Sequence, residues 1–156
     1  KLILILFANI FNLYKFATML RLEIENIIKK HGLSLTKARK KVLKYFLKSN
    51  KPLSLKTIRN LVNPIDRVTL FRILSSFEEK GIIHSIRLEN GQHLYAVCKE
   101  TCRDGQHSHQ HVHFTCESCD DVSCLSIDNF PKLSLANYQF NNININVSGV
   151  CQACVF

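Results

Sequence analysis

Four of the seven cysteines fall into two pairs of identical spacing, Cys116-Glu117-Ser118-Cys119 and Cys151-Gln152-Ala153-Cys154, with 31 residues between the pairs. Two intervening residues let both thiolates reach one ion, and two such pairs complete a tetrahedral four-thiolate shell of the kind that holds zinc. That shell is closed to water, so its expected role is to hold a small domain together rather than to catalyse. Just upstream lies a histidine run, His107, His109, His111 and His113, which ends three residues before Cys116. On a strand, His109, His111 and His113 point the same way, because residues two apart share a face. Cys124 on the next strand reaches the same ion, and Cys98 and Cys102 flank the run. A mixed thiolate and imidazole set suits zinc better than harder ions, while ferrous iron also accepts imidazole. The expected cofactors are therefore one structural Zn2+ and a second, regulatory Zn2+ or Fe2+.

The elements that must position these groups are legible from periodicity and turn chemistry. Residues 19–31 carry Leu20, Ile24, Ile27 and Ile28 at helical spacing, and Gly32 stops them. Thr36, Ser54 and Asp66 are N-cap candidates for three further helices, the last bearing Val68, Phe71, Leu74 and Phe77 up to Gly81. Strands at 82–88 and 93–97 flank Asn90-Gly91, a strong hairpin signal. Three helices and a hairpin in this order form a winged helix-turn-helix. After a polar stretch come strands at 111–116 and 122–125. A half-buried strand over 138–150 then has Ile143, Ile145 and Val147 facing one way and Asn144, Asn146 and Ser148 the other. Each CxxC pair thus sits at a strand end. The fold class is α+β: a winged helix over 19–97, a linker or hinge over 98–110, and a small metal-binding α/β unit over 111–156.

Charge separates the two units. Residues 1–90 carry a net +12 and residues 91–156 a net −3. The natural use of the basic part is phosphate neutralisation on double-stranded DNA. Arg67, Thr69 and Arg72 open the fourth helix, where base edges are read. Lys37, Arg39, Lys40, Lys41 and Lys44 of the second helix are candidates for phosphate anchors.

Other classes fit poorly. A zinc deaminase needs HxE and PCxxC, but no glutamate follows a histidine at +2, and Thr115 precedes Cys116. No nucleophile elbow or phosphate loop is present, so no enzyme is expected. Clustered CxxC and His without a convincing secretion signal point to a reducing cytoplasm. Residues 1–18 are apolar but broken by Asn9, Asn12 and Lys15, a poor membrane span. They are expected to be a non-native or disordered extension ahead of Met19, with no membrane partner.

The motifs together resemble the ferric uptake regulator (Fur) family, including its zinc-responsive branch. Leu35-Thr36-Lys37-Ala38-Arg39 is similar to the family's "LTxxR", and Thr69-Leu70-Phe71-Arg72 to its "TVYR". Gly81-Ile82-Ile83 and the His run leading into CxxC complete the likeness, which covers about Leu20 to Cys154. The resemblance implies a homodimeric repressor with a C-terminal α/β dimerisation domain, binding an AT-rich inverted repeat when its sensor site is loaded. It implies structural zinc on Cys116, Cys119, Cys151 and Cys154, and sensing by His111 and His113. Cys124 falls where the family usually has a carboxylate, His109 matches the zinc branch, and Cys98 or Cys102 stands in for that branch's sensor cysteine. Phe71 replaces the family's DNA-contacting Tyr. Pro52, Ala96 and Val112 replace a His, a Glu and an Asp of iron-type members. The iron constellation is thus incomplete, which favours zinc over an iron or peroxide sensor. His84 and His93 on the wing are the candidates for tying the two domains together. A zinc-binding module without a DNA role is the remaining alternative.

Overall fold

The computed structural model describes residues 2–49, 51–88, 90–98, 111–127, 129, 134–139 and 143–155, with side chains of the first helix described from residue 15 onward. In chain order the elements are α1 (Leu2–Lys30), α2 (Lys37–Lys48), β1 (Leu53–Ser54), α3 (Leu55–Val62), α4 (Arg67–Glu79), β2 (Ile83–Arg87) and β3 (His93–Val97). β4 (His111–Cys116), β5 (Val122–Ser126), β6 (Asn146–Gly149) and α5 (Gln152–Val155) follow.

Local chemistry sets the helix ends. Thr36, Ser54 and Asp66 each accept the backbone N–H three residues on, as N-caps of α2, α3 and α4. At the far ends, Gly32 and Gly81 adopt φ of 70° and 69°. In both places the glycine N–H and the N–H after it return to carbonyls of the last turn: Gly32 to Lys29 and Leu33 to Ile28, Gly81 to Glu78 and Ile82 to Phe77. A Cβ at that positive φ would be strained, so the chain reverses at glycine. α1 differs from its expected span. It runs unbroken through Met19, because no Gly or Pro interrupts residues 1–31.

The helices enclose one core. Ile24 and Ile28 of α1, Val42, Leu43 and Phe46 of α2, Ile58 and Val62 of α3, and Leu70, Leu74 and Phe77 of α4 pack with Ile83. The wing closes it as an antiparallel sheet in the order β1-β3-β2. β1 was not foreseen, since two residues carry no period; it exists through pairing of Leu53 with Tyr95.

The wing is covered on both faces. Tyr95 faces the helices, while Ile86, Leu94 and Ala96 pack against Val122 and Cys124 of β5. The second sheet has the order β5-β4-β6, with β4 antiparallel to β5 and parallel to β6. The strand expected over 138–150 is shorter and less buried. Residues 140–142 lie outside the described residues, Ile143 and Ile145 are half-buried outside any strand, and Val147 within β6 is exposed.

Candidate metal centres and nucleic-acid interface

The two CxxC pairs converge as expected. β4 ends on Cys116 and β6 is followed by Cys151, so parallel pairing of Cys116 with Gly149 brings the two strand ends together. The turn after β4 is tight: Asp120 N–H returns to the Cys116 carbonyl and Cys116 N–H reaches the Asp121 carbonyl, both at 2.9 Å. Glu117 N–H meets the Gly149 carbonyl at 2.7 Å. The four sulfurs lie within 4.8 Å of one another, and Cys119 and Cys151 are 3.8 Å apart. Bonds of about 2.3 Å to a tetrahedral zinc place sulfurs about 3.8 Å apart. The thiols are also electrostatically unequal. The Cys151 N–H, 3.3 Å from Cys116 Sγ, leads the contacts that bring the Cys116 thiol down to about 6. Hydrogen bonding with Cys151 and then Cys119 pushes Cys154 up to about 12. The cluster alone therefore accommodates one thiolate readily and resists four, so full ionisation calls for a cation at its centre.

The second cluster is His84, His111, His113 and Cys124. His111 and His113 share a face of β4, and Cys124 is the direct cross-strand partner of His113. His84 comes from the wing. It lies on the β2 face that carries Ile86 and opposes Ala96, the face turned toward β5. The three Nε2 atoms form a near-equilateral triangle with sides of 3.3, 3.2 and 3.3 Å. Cys124 Sγ is 3.7 Å from His84 Nε2. A neutral imidazole presents either one N–H or one lone pair at each ring nitrogen. Among three mutually facing nitrogens, at least two are then alike and repel, whereas a cation accepts all three lone pairs. Tetrahedral zinc at about 2.0–2.1 Å from nitrogen requires separations of about 3.3–3.4 Å. All three histidines are buried. Burial pushes the His113 imidazole below its ordinary value, against a side-chain hydrogen bond with Asn146. The neutral ring it favours is the ligand form.

The remaining sequence candidates fall elsewhere. His109 and Cys102 lie outside the described residues. Cys98 is not in the four-group cluster; its sulfur sits 3.6 Å from the opposite ring nitrogen of His84, Nδ1. Of the two wing histidines, His93 faces Tyr95, with its Nδ1 3.5 Å from the phenol oxygen, and His84 alone reaches the cluster. The signal that marks His84 is a histidine on the apolar face of a strand. One further tie joins the modules: Lys51 Nζ meets Asp121 Oδ1 at 2.7 Å, beside the four-cysteine cluster.

On the basic side, Arg67, Phe71 and Arg72 are exposed along α4 and Thr69 is partly exposed. A wide groove between α3 and α4 is lined by Lys56, Arg59, Arg67 and Phe71 among others. Lys56 and Arg59 of α3 line this groove beside Arg67, whereas the cationic candidates read from sequence lie on α2 and α4. Within α2, Lys37 is exposed. Arg39 is engaged with the Ser34 carbonyl and hydroxyl, and Lys40 pairs with Glu25 of α1 at 3.3 Å. Arg39 and Lys40 thus brace the α1–α2 corner, a use their sequence positions did not reveal. Among the described residues no helix is long and apolar enough to cross a membrane.

Comparison with known proteins is consistent with this geometry. The model of the ferric uptake regulator family matches residues 30–148. The ferric uptake regulation protein of Staphylococcus aureus is 30% identical over 135 residues, covering 82% of this chain and 93% of the relative. In fold, the chain is similar to the Helicobacter pylori ferric uptake regulator (TM-score 0.57, 18% identity, covering 89% of this chain and 93% of that one). It is equally similar to a zinc uptake regulator complexed with zinc and DNA (TM-score 0.58, 21% identity, covering 88% and 94%). A winged helix carrying a basic groove, a four-cysteine cluster, and sequence matches over most of its length lead to one conclusion: the chain belongs to the ferric uptake regulator family, whose members are metal-responsive transcription regulators and not enzymes.

Proposed function

We propose that this chain is a zinc-responsive repressor that acts as a homodimer in the cytoplasm and binds an AT-rich inverted repeat. One observation carries the reading: His84, on the wing, completes a donor triangle with His111 and His113 of the second sheet. Cys116, Cys119, Cys151 and Cys154 would hold a structural zinc, and His84, His111, His113 and Cys124 the regulatory ion. A bound ion supplies charge neutralisation and a cross-link between the modules. The side chains do the rest. His84 holds the wing, and with it α4, in one orientation toward β4 and β5. Ile86, Leu94 and Ala96 exclude water from the same junction. In a dimer, one fixed orientation places two α4 helices in successive major grooves, about 34 Å apart. Occupancy shifts that equilibrium only by the ion's preference for the docked arrangement. Three imidazoles and a thiolate favour zinc.

Ferrous iron at the same residues is the second reading, supported by the name of the Staphylococcus aureus relatives and by the affinity of imidazole for iron. Anisotropy of a labelled duplex from the protein's own upstream region separates the two, with free zinc or ferrous iron buffered anaerobically. Tight binding at low free zinc supports the first reading, binding only with iron supports the second, and binding with neither refutes both.

A further inference from the structure

The unit that carries the four-cysteine cluster is short of cations. Residues 111–156 contain Glu117, Asp120, Asp121 and Asp128, but Lys132 is their only Lys or Arg, and Lys132 lies outside the described residues. A divalent ion held by four thiolates keeps a net double negative charge, and that charge resides on sulfur. Glu117, Asp120 and Asp121 add carboxylates in the same loop. A compensating cation has to come from elsewhere, and the helical module supplies it. Lys51, in the connection between α2 and β1, places its Nζ 2.7 Å from Asp121 Oδ1.

We infer that Lys51 is the counter-charge of the four-cysteine site and shields the thiolates of Cys119 and Cys151 from electrophiles. The inference deepens the structural-zinc reading and rests on it. The four sulfurs are not equally protected. Cys116 is buried, and its sulfur accepts the Cys151 N–H at 3.3 Å. Cys119 is exposed and Cys151 half-buried, with their sulfurs 3.8 Å apart. These are the two sulfurs that Lys51 serves: Asp121 first, then Cys119 and Cys151, hold its ammonium above the ordinary value. Asp121 fixes the cation in place. Its N–H bonds to the Cys119 sulfur, and its carbonyl receives the Cys116 N–H at 2.9 Å. The carboxylate is thus anchored beside the cluster, and it draws a long, flexible lysine to that spot. A cation there weakens the electron pair that a thiolate offers to an electrophile; charge and hydrogen bonds behind metal ligands tune sites in the same way. Without Lys51, Asp121 would add one more uncompensated negative charge.

Alkylation of the full-length, zinc-loaded chain tests the assignment, with iodoacetamide as a neutral probe and iodoacetate as an anionic one. In both, the sulfur lone pair forms the S–C bond and iodide leaves with its electron pair. Rates are read at each cysteine by peptide mass spectrometry. If Cys151→Ser loses no zinc, the structural-zinc reading itself fails. If it does lose zinc, Lys51→Ala should keep the ion and raise the iodoacetamide rate at Cys119 and Cys151 about 5-fold at low salt, the effect of one unit charge a few ångströms away in water. Iodoacetate should gain less, or lose, because the same change removes the charge that attracts an anion. Lys51→Arg should restore both rates, and added salt should narrow the difference between wild type and Lys51→Ala. Equal gains with the two probes would mark a loosened loop and overturn the inference. Unchanged rates in Lys51→Ala, or no recovery in Lys51→Arg, would overturn it as well.

Discussion

The two clusters use similar atoms to different ends. The four cysteines come from two neighbouring strand ends of a single sheet, and both pairs lie in the unit after residue 110. The other cluster takes three donors from that sheet and its fourth, His84, from a hairpin that belongs to the helical module. Removing one ligand from the first should therefore dissolve a domain, whereas removing His84 from the second should uncouple two domains that each stay folded. A cluster's effect on function depends here on which chain segments it joins more than on which atoms it contains.

The sharpest break in that contrast is Cys151→Ser. Structural zinc sites contribute about 10–16 kcal/mol in small domains, so the variant should lose one zinc per chain, its second sheet and its dimer. Metal analysis with circular dichroism and sizing reads this, and a folded dimer with full zinc would remove the structural role. His84→Ala should be milder. The four-cysteine zinc and the thermal midpoint should survive, while metal-stimulated DNA affinity falls about 5- to 150-fold, the usual span of coupling between sites. His93→Ala, on the same hairpin but facing Tyr95, is the control and should leave the stimulation intact.

Acidification sharpens the comparison further. Protons compete for imidazole ligands below about pH 6.5, and burial holds the His113 ring below its ordinary value, against the side-chain hydrogen bond with Asn146. Regulatory-ion occupancy should fall between pH 7 and 5, and a flat occupancy would argue against imidazole ligation. The sign is the same for folding of the metal-free chain. Below about pH 6.5 the unfolded His113 takes a proton that the folded ring refuses, so stability declines on acidification and is level above that range. The smallest effect is expected for Lys51→Ala. Its ion pair with Asp121 also spans the modules, but the lysine is largely exposed, and such pairs are weak and screened by salt. DNA affinity at physiological salt should be unchanged; a loss as large as that of His84→Ala would make the ion pair, rather than the histidine, the principal tie.

How much of this was legible in sequence depended on the range of the information required. Caps, glycine stops, the Asn90-Gly91 turn and the CxxC spacing are local, and all appear where expected. The place of Cys124 on the strand after the histidines was also legible; its direct pairing with His113 comes from the register of β4 and β5. His84 was named only as one of two wing candidates. Choosing it over His93 requires knowing which hairpin face meets β5, and that is settled by packing of Ile86, Leu94 and Ala96 on Val122. The alternation within 138–150 predicts a half-buried strand, but among the described residues only Asn146–Gly149 forms one. Alternation reports two unlike faces but not what covers the apolar one, and Val147 is exposed on β6. The place of Lys40 on the second helix suggests a phosphate anchor; its contact with Glu25, 15 positions away on another helix, is a tertiary fact that no local pattern carries.

His84 and His111 are 27 positions apart along the chain. An ion bound to both closes that stretch into a ring, as a disulfide would, but reversibly. Unlike a disulfide, the ion leaves when the ligands separate, so the tie would be only as strong as the free-metal level makes it. The metal supply of the cell would thus set not only how the wing is oriented but how often the hairpin parts from the second sheet. Under metal limitation that local opening would become more frequent, and the hairpin more accessible to proteases.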